Sequence, residues 1–174
     1  MLTSAKNLIP RFRNQQYDRI ITELSTRQST SISLFSEATT QVTQLTESPI
    51  SILSLVSDRG CRIGAIGGLE LLDKLPRAAN LLLELAGIEY CHHQTMICDR
   101  YLMISNFQEH PELNTTALVR VHGIQAYLGV PIITAAGDRL GIISSLDFRP
   151  HQFGDRDINV LQLVSRWEIG RAHV

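Results

Sequence analysis

The chain has 174 residues, of which 44% are apolar and 19% are charged, and its formal net charge at pH 7 is −1. This composition excludes wholesale disorder, and the near-neutral charge provides no global basic field for binding nucleic acid. The length suits one domain, and no apolar run approaches the ~20 residues of a membrane span, so we expect no membrane partner.

The first predicted element is a long helix over Gln15–Thr46, preceded by a flexible lead-in over residues 1–14. Its apolar residues recur at multiples of seven on two lines that together form one stripe: Tyr17, Leu24, Ala38 and Leu45 on one line, and Ile21, Phe35 and Val42 on the other. The stripe fits either a dimerising signalling helix or a helix that covers its own sheet. Because Ser and Thr are frequent here, a break near Ser25–Ser33 is the alternative to one continuous helix.

A hairpin and a second helix come next in the chain. Ser48-Pro49 ends the first helix, and the apolar segment Ile50–Ser57 predicts a strand. The turn residues Asp58-Arg59-Gly60 join it to a second strand over Arg62–Ile66. The segment Pro76–Ala86 is apolar nearly all round and is followed by a glycine, which predicts a buried helix.

The middle of the chain carries shorter elements. We predict a short helix over Cys91–Ile97 and a short strand over Tyr101–Ser105. The polar segment Asn106–Gly123 contains a proline and predicts a loop with a short helix.

The last part of the chain predicts a second hairpin and a closing helix. Strands over Ala126–Ile133 and Arg139–Asp147 are joined by a loop in which Gly137 supplies a positive φ. Asp155–Trp167 follows as a helix with acidic residues in its first turn. This order predicts an α+β fold with a central antiparallel sheet of five to six strands and helices on both sides. We expect a single domain over residues 15–167, with its core in 48–167.

The three cysteines of the chain are Cys61, Cys91 and Cys98, and they follow no C-x-x-C spacing. An odd number of unpatterned cysteines is typical of free thiols in a reducing compartment. Residues Met1–Arg13 carry no signal peptide, so we predict a cytoplasmic protein.

The residues from 126 onward resemble a GAF domain of bacterial sensor proteins, a PAS-like fold. The resemblance rests on Ala126–Ile132 (AYLGVPI), Leu140–Asp147 (LGIISSLD) and the residues Gly137, Pro150, Phe153, Asp157, Ile158 and Leu161. Three features depart from the family pattern: Ser105-Asn106 replaces an aspartate after the third strand, His151 stands where arginine is frequent, and Gly154 stands near the usual helix-capping serine. The resemblance implies a sensory or regulatory module, non-catalytic itself, that binds a small ligand over one sheet face or serves in dimerisation.

The resemblance also places a pocket under the segments of residues 76–125. The candidate pocket residues are Tyr90, Cys91, His93, Asn106, His110, Arg120, His122 and Tyr127. We expect no catalytic residue, no metal site and no cofactor. A covalent bilin is not expected, because photoreceptor GAF domains carry a Cys-His pair just before the strand that matches Ala126–Ile133, whereas Cys91-His92 lies far earlier.

The function we expect is therefore a signal-transduction module that forms a homodimer through its N- and C-terminal helices. Two alternatives remain open: a structural dimerisation domain with a filled pocket, and a redox enzyme similar to the free methionine sulfoxide reductases, using Cys91 and Cys98. The last residues, Glu168–Val174, resemble a sequencing adapter translated in frame. We therefore expect that they form no part of the native domain, that the last helix is cut at Trp167, and that an output domain such as a kinase or cyclase lies beyond it.

Overall fold

A computed structural model describes residues 28–57, 60–68 and 88–172 of the chain. It contains five strands and four α-helices within these ranges, in the order α1 (Gln28–Thr46), β1 (Ile50–Ser57), β2 (Gly60–Gly67), α2 (Glu89–Ile97), β3 (Leu102–Ile104), α3 (Ala117–Arg120), β4 (Ala126–Ile133), β5 (Arg139–Asp147) and α4 (Asp155–Ala172). A 3₁₀ turn, Phe107–Glu109, lies between β3 and α3.

The five strands form one antiparallel sheet in the order β2-β1-β5-β4-β3. The register pairs Leu53 with Ile143 and Val130 with Ile143, so β5 lies at the centre between β1 and β4. Two faces result because side chains alternate along each strand. This arrangement confirms the predicted α+β fold with helices on both sides.

Helices α1 and α4 cover one face of the sheet, called here the helix face. The described part of the α1 stripe turns inward, with Phe35, Ala38 and Val42 buried on this face. This supports the interpretation of the stripe as a cover for the domain's own sheet, whereas Leu45 stays exposed. The core of this face is one apolar cluster: Phe35, Ala38, Val42, Leu53, Leu55, Ala126, Leu128, Val130, Ile132, Leu140, Ile143, Phe153, Ile158, Leu161 and Val164.

The backbone of α1 comes very close to β2 at Gly67. A Cβ at this position would lie 2.5 Å from the carbonyl oxygen of Thr39 in the middle of α1. Only glycine allows a helix backbone to approach a strand this closely. Gly67 therefore sets the distance between α1 and the sheet.

Helix α2, the 3₁₀ turn and α3 lie over the opposite face, called here the site face. Their side chains and those of the sheet form a second apolar cluster: Ile50, Ile52, Ile88, Cys91, Ile104, Phe107, Leu113, Leu118, Val119, Ile124, Tyr127 and Leu146. The sheet thus separates two cores, one on each face.

The observed bounds agree closely with the predicted ones for β1, β4 and β5. Helix α4 extends to Ala172, beyond the predicted end at Trp167, and includes Gly170. The lead-in over 1–14, the first half of the Gln15–Thr46 helix, the Asp58-Arg59 turn and the Pro76–Ala86 helix fall, wholly or in part, outside the described residues.

Candidate functional site

Tyr127 occupies the centre of the site face. Its side chain is fully buried, and its phenol lies over Gly129, where a Cβ would overlap the phenol oxygen. The Tyr127 Oη lies 2.9 Å from the Thr95 Oγ1 on α2, and the Thr95 hydroxyl donates to the Cys91 carbonyl at 2.7 Å. Because the single Thr95 proton is used in that bond, the Tyr127 hydroxyl donates to Thr95. Tyr127 therefore fixes α2 on the sheet rather than facing an open space.

Two titratable side chains of α2 are buried beside Tyr127. Burial raises the pKa of the Cys91 thiol to about 12 and lowers the pKa of the His92 imidazole to about 4, because both charged forms lose their hydration. The rings of His92 and Tyr127 are tilted against each other with centroids 6.4 Å apart. Both groups are consequently neutral at pH 7.

Tyr90 and His110 meet at the edge of the site face. Their rings pack edge to face with centroids 5.6 Å apart, and both side chains remain partly exposed. The His110 Nδ1 lies 3.0 Å from Glu112 Oε2. Partial burial raises the pKa of Tyr90, and the nearby Glu112 carboxylate and Cys91 add to the shift. Tyr90, His110 and Glu112 therefore form a group of partly or fully exposed polar side chains beside a buried apolar cluster, although the His110 Nδ1 itself is buried.

Asn106 lies in the same segment as His110 and caps the 3₁₀ turn. Its Oδ1 accepts from the Gln108 backbone N–H at 3.1 Å, and its Nδ2 donates to Glu109 Oε1 at 3.1 Å. The cap holds the turn that leads into His110, whose N–H donates to the Phe107 carbonyl at 3.1 Å. Asn106 therefore positions this segment.

The remaining predicted pocket residues lie on α2 and α3. His93 on α2 and His122 just after α3 are partly exposed, and Arg120 at the end of α3 is exposed. Of the eight predicted residues, the structure thus brings Tyr90 and His110 into contact, places Asn106 in the adjoining turn, and puts Cys91 and Tyr127 in the core below.

Sequence reasoning missed Thr95, which connects Tyr127 to Cys91. Its only signal was the four-residue spacing from Cys91, the distance at which a helical threonine bonds a preceding carbonyl. It also missed Arg139, whose guanidinium donates to the Cys98 carbonyl at 2.7 Å and holds the C-terminal end of α2. Both roles depend on contacts between segments far apart in the chain.

Cys91 and Cys98 are free thiols, as predicted. Within the described ranges, no three His, Cys, Asp or Glu side chains are grouped as a metal ion would require. Within the same ranges, no helix combines the length and the hydropathy needed to cross a bilayer.

Solved structures with the same fold include several sensor domains. A domain of a protein named as a two-component sensor histidine kinase from Sinorhizobium meliloti 1021 matches at 16% identity and a TM-score of 0.57, covering 81% of this chain and 89% of that chain. A GAF domain region from Geobacter sulfurreducens PCA matches at 15% identity and a TM-score of 0.62, covering 91% and 98%. The blue-light absorbing form of the Thermosynechococcus elongatus PixJ GAF domain matches at 15% identity and a TM-score of 0.59, covering 87% and 88%.

These identities show a shared fold alone. No curated protein sequence matches the chain. The family model described as GAF domain matches residues 31–167, which include every described element from most of α1 to most of α4. With a five-stranded antiparallel sheet between two helical layers and a match over most of its length, the chain belongs to the GAF domain family.

Proposed function

We propose that this domain is the sensory module of a bacterial signal-transduction protein, and that it binds a small molecule on the site face. In this proposal the domain itself is not catalytic, and binding alters the packing of α1 and α4, which pass the change to an output domain. Membership of the GAF family supports the class of function. The ligand site rests on the Tyr90–His110 pair.

The Tyr90–His110 pair is the observation that carries the ligand proposal. Ligand sites are mostly apolar, with a few polar groups that fix the orientation of the bound molecule. Here two aromatic rings with polar atoms stay partly exposed at 5.6 Å from each other, and the apolar cluster of the site face begins directly behind Tyr90. A small molecule with hydrogen-bonding groups is the ligand chemistry that this edge suits.

A thermal-shift screen with cyclic nucleotides and common metabolites tests the proposal. A ligand present at a hundred times its Kd stabilises the folded state by about 2.7 kcal/mol, which raises the Tm of a domain of this size by about 5 °C or more. We expect His110→Ala to reduce that shift by at least about half, because it removes one ring and one polar group of the pair. Arg156→Ala is the control, because Arg156 is exposed on α4 at the other face.

A screen without any stabilising compound, or a shift that His110→Ala leaves intact, would contradict a ligand at this place. The second candidate function, a structural dimerisation domain, would then be favoured. Tyr127 supports that alternative, because its phenol fills the centre of the site face and bonds to Thr95 at 2.9 Å.

The redox alternative has weak chemical support. Attack on a sulfoxide or peroxide requires a thiolate, and a nucleophilic cysteine has a lowered pKa. Burial instead raises the pKa of Cys91 to about 12, and it also raises the pKa of Cys98. We therefore retain a non-catalytic role, in a cytoplasmic setting that suits free thiols.

We further propose that the module is a homodimer through its helix layer. The inner face of α1 is occupied by the domain's own sheet, so the contact must use the outer faces of α1 and α4. Leu45 on α1 and Leu163 on α4 are 44% and 64% exposed. Among the side chains that the structure describes, they are the large apolar ones that these two helices expose.

Sedimentation velocity tests the dimer. We expect the parent protein to sediment as a dimer and Leu163→Glu to shift it toward monomer, because a carboxylate cannot be buried unpaired in the contact. Val121→Glu is the matched control, because Val121 is also exposed but lies after α3 on the site face. A monomeric parent at high concentration, or equal effects of both substitutions, would overturn this proposal.

A further inference from the structure

Five residues form a closed hydrogen-bonded ring at one end of the sheet. The Phe107 N–H donates to the Gln125 carbonyl at 2.7 Å, and the Gln125 N–H donates to the Asp147 carbonyl at 2.8 Å. The Asp147 carboxylate lies 2.9 Å from His151 Nδ1. The backbone N–H of His151 donates to the Ser105 carbonyl at 2.9 Å. Ser105 is joined to Phe107 along the chain through Asn106, and this closes the ring.

The centre of this ring is the contact between Asp147 and His151. Asp147 is buried, and its other carboxylate oxygen accepts from the Arg149 backbone N–H at 3.1 Å. The His151 Nδ1 and the Asp147 Oδ2 lie within hydrogen-bond distance of each other. The Arg149 side chain lies at 3.9 Å and is 84% exposed, which leaves His151 as the close side-chain partner.

The ring connects the two faces of the sheet. Phe107 belongs to the buried cluster of the site face, whereas Phe153 belongs to that of the helix face. The His151 ring stacks on Phe153 with centroids 4.1 Å apart and an interplanar angle of 12°. Phe153 lies just before α4 and packs in the same cluster as Ile158 and Leu161 of that helix. A continuous set of contacts therefore runs from the 3₁₀ turn to the start of α4.

We propose that this ring transmits changes in the Asn106–His110 segment to the start of α4, with His151 as the connecting side chain. The inference rests on the proposed function, in which α4 passes a signal to an output domain. On this route the signal leaves the site face around the end of the sheet, through Asp147 and His151, and does not cross the sheet.

Hydrogen exchange of α4, measured by mass spectrometry without any ligand, tests the coupling. Asn106→Ala serves as the perturbation, because it removes the side-chain acceptor that caps the 3₁₀ turn. We expect it to accelerate exchange in residues 156–161 by about threefold or more relative to α1. Exchange in α1 is the internal reference, because global unfolding accelerates both helices.

Thr134→Ala is the matched control. Thr134 Oγ1 also accepts a backbone N–H at 3.1 Å, from Asp138, but in the β4–β5 loop at the opposite end of the sheet. We expect no selective acceleration in α4 from this substitution, because no contact of the ring is affected.

The decisive comparison repeats Asn106→Ala in a His151→Phe background. Phenylalanine keeps the backbone bond to Ser105 and an aromatic ring against Phe153 but cannot bond to Asp147, so the effect on α4 should fall by about half or more. If His151→Phe does not fold, Phe153→Leu removes the stacked ring one contact further along the route and should likewise reduce the effect. An Asn106→Ala effect that is undiminished in these backgrounds, or that is absent when Asn106→Ala is made in the parent, would overturn the ring as the route. Neither result bears on ligand binding, which the thermal-shift screen tests separately.

Discussion

Acidification from pH 7 to pH 4 is expected to lower the free energy of unfolding by about 3 kcal/mol through His92 alone. Burial lowers the pKa of this imidazole to about 4 in the folded state. The unfolded chain has the usual value near 6.5, and each pKa unit corresponds to about 1.4 kcal/mol.

The sign follows from the number of protons that each state binds. Between pH 6.5 and about 4, the unfolded chain holds a proton on His92 that the folded chain does not. Stability therefore falls as the pH decreases through this interval, and the full contribution is present above pH 6.5. The lost stability reflects the hydration that an imidazolium at this buried position of α2, beside Tyr127, would lose.

Urea denaturation at a series of pH values, with the parent and with His92→Gln, measures this contribution. Glutamine remains neutral, so the two stability curves should diverge below pH 6.5 by up to about 3 kcal/mol. The measured quantity is the change in the difference between the curves, since packing changes at position 92 shift one curve uniformly. Two curves that stay parallel down to pH 4 would contradict the buried neutral imidazole.

Gly67→Ala is expected to destabilise the domain by about 3 kcal/mol. The new methyl group would lie 2.5 Å from the Thr39 carbonyl oxygen and 2.6 Å from its carbon, both in the backbone of α1. Backbone atoms in a helix cannot rotate away as a side chain would. The helix must shift outward, and Ala38 and Val42 then lose contact with the sheet.

Gly154→Ala is the matched control for this prediction. The nearest atom to a Cβ at position 154 is a carboxylate oxygen of Asp157 at 4.0 Å, so the added methyl group makes only an ordinary van der Waals contact. We expect a change within about 1 kcal/mol. Chemical denaturation of the two variants compares them directly, and equal stabilities would show that α1 adapts to Gly67→Ala without cost.

The sheet could be predicted from sequence because its strands carry local signals. The predicted bounds of β4 and β5 agree with the observed ones, since an apolar run on each side of Gly137 defines both the strands and the turn. Gly137 has the positive φ that the hairpin loop requires, at 90°. The third strand was predicted two residues too long, because nothing local indicates where β3 stops pairing with β4.

The site could be predicted only in part, because its geometry depends on contacts between distant segments. Tyr127 and Thr95 are 32 residues apart, and no local pattern indicates that the phenol bonds to a helix rather than facing a ligand. The same holds for Tyr90 and His110, whose contact places them together at the edge of the site face. Residue type identified Tyr90, His110 and Tyr127 as candidates, but the tertiary fold decides which of them are accessible.

The separation of two cores by one sheet has a consequence for how such domains diversify. Substitutions in the cluster around Ile52, Phe107 and Tyr127 reshape the site face without touching the side chains that hold α1 and α4. The site face can thus vary through many sequences while the side chains that hold α1 and α4 on the sheet stay the same. Asp147 and His151 join the two sides, so changes there must be matched on both.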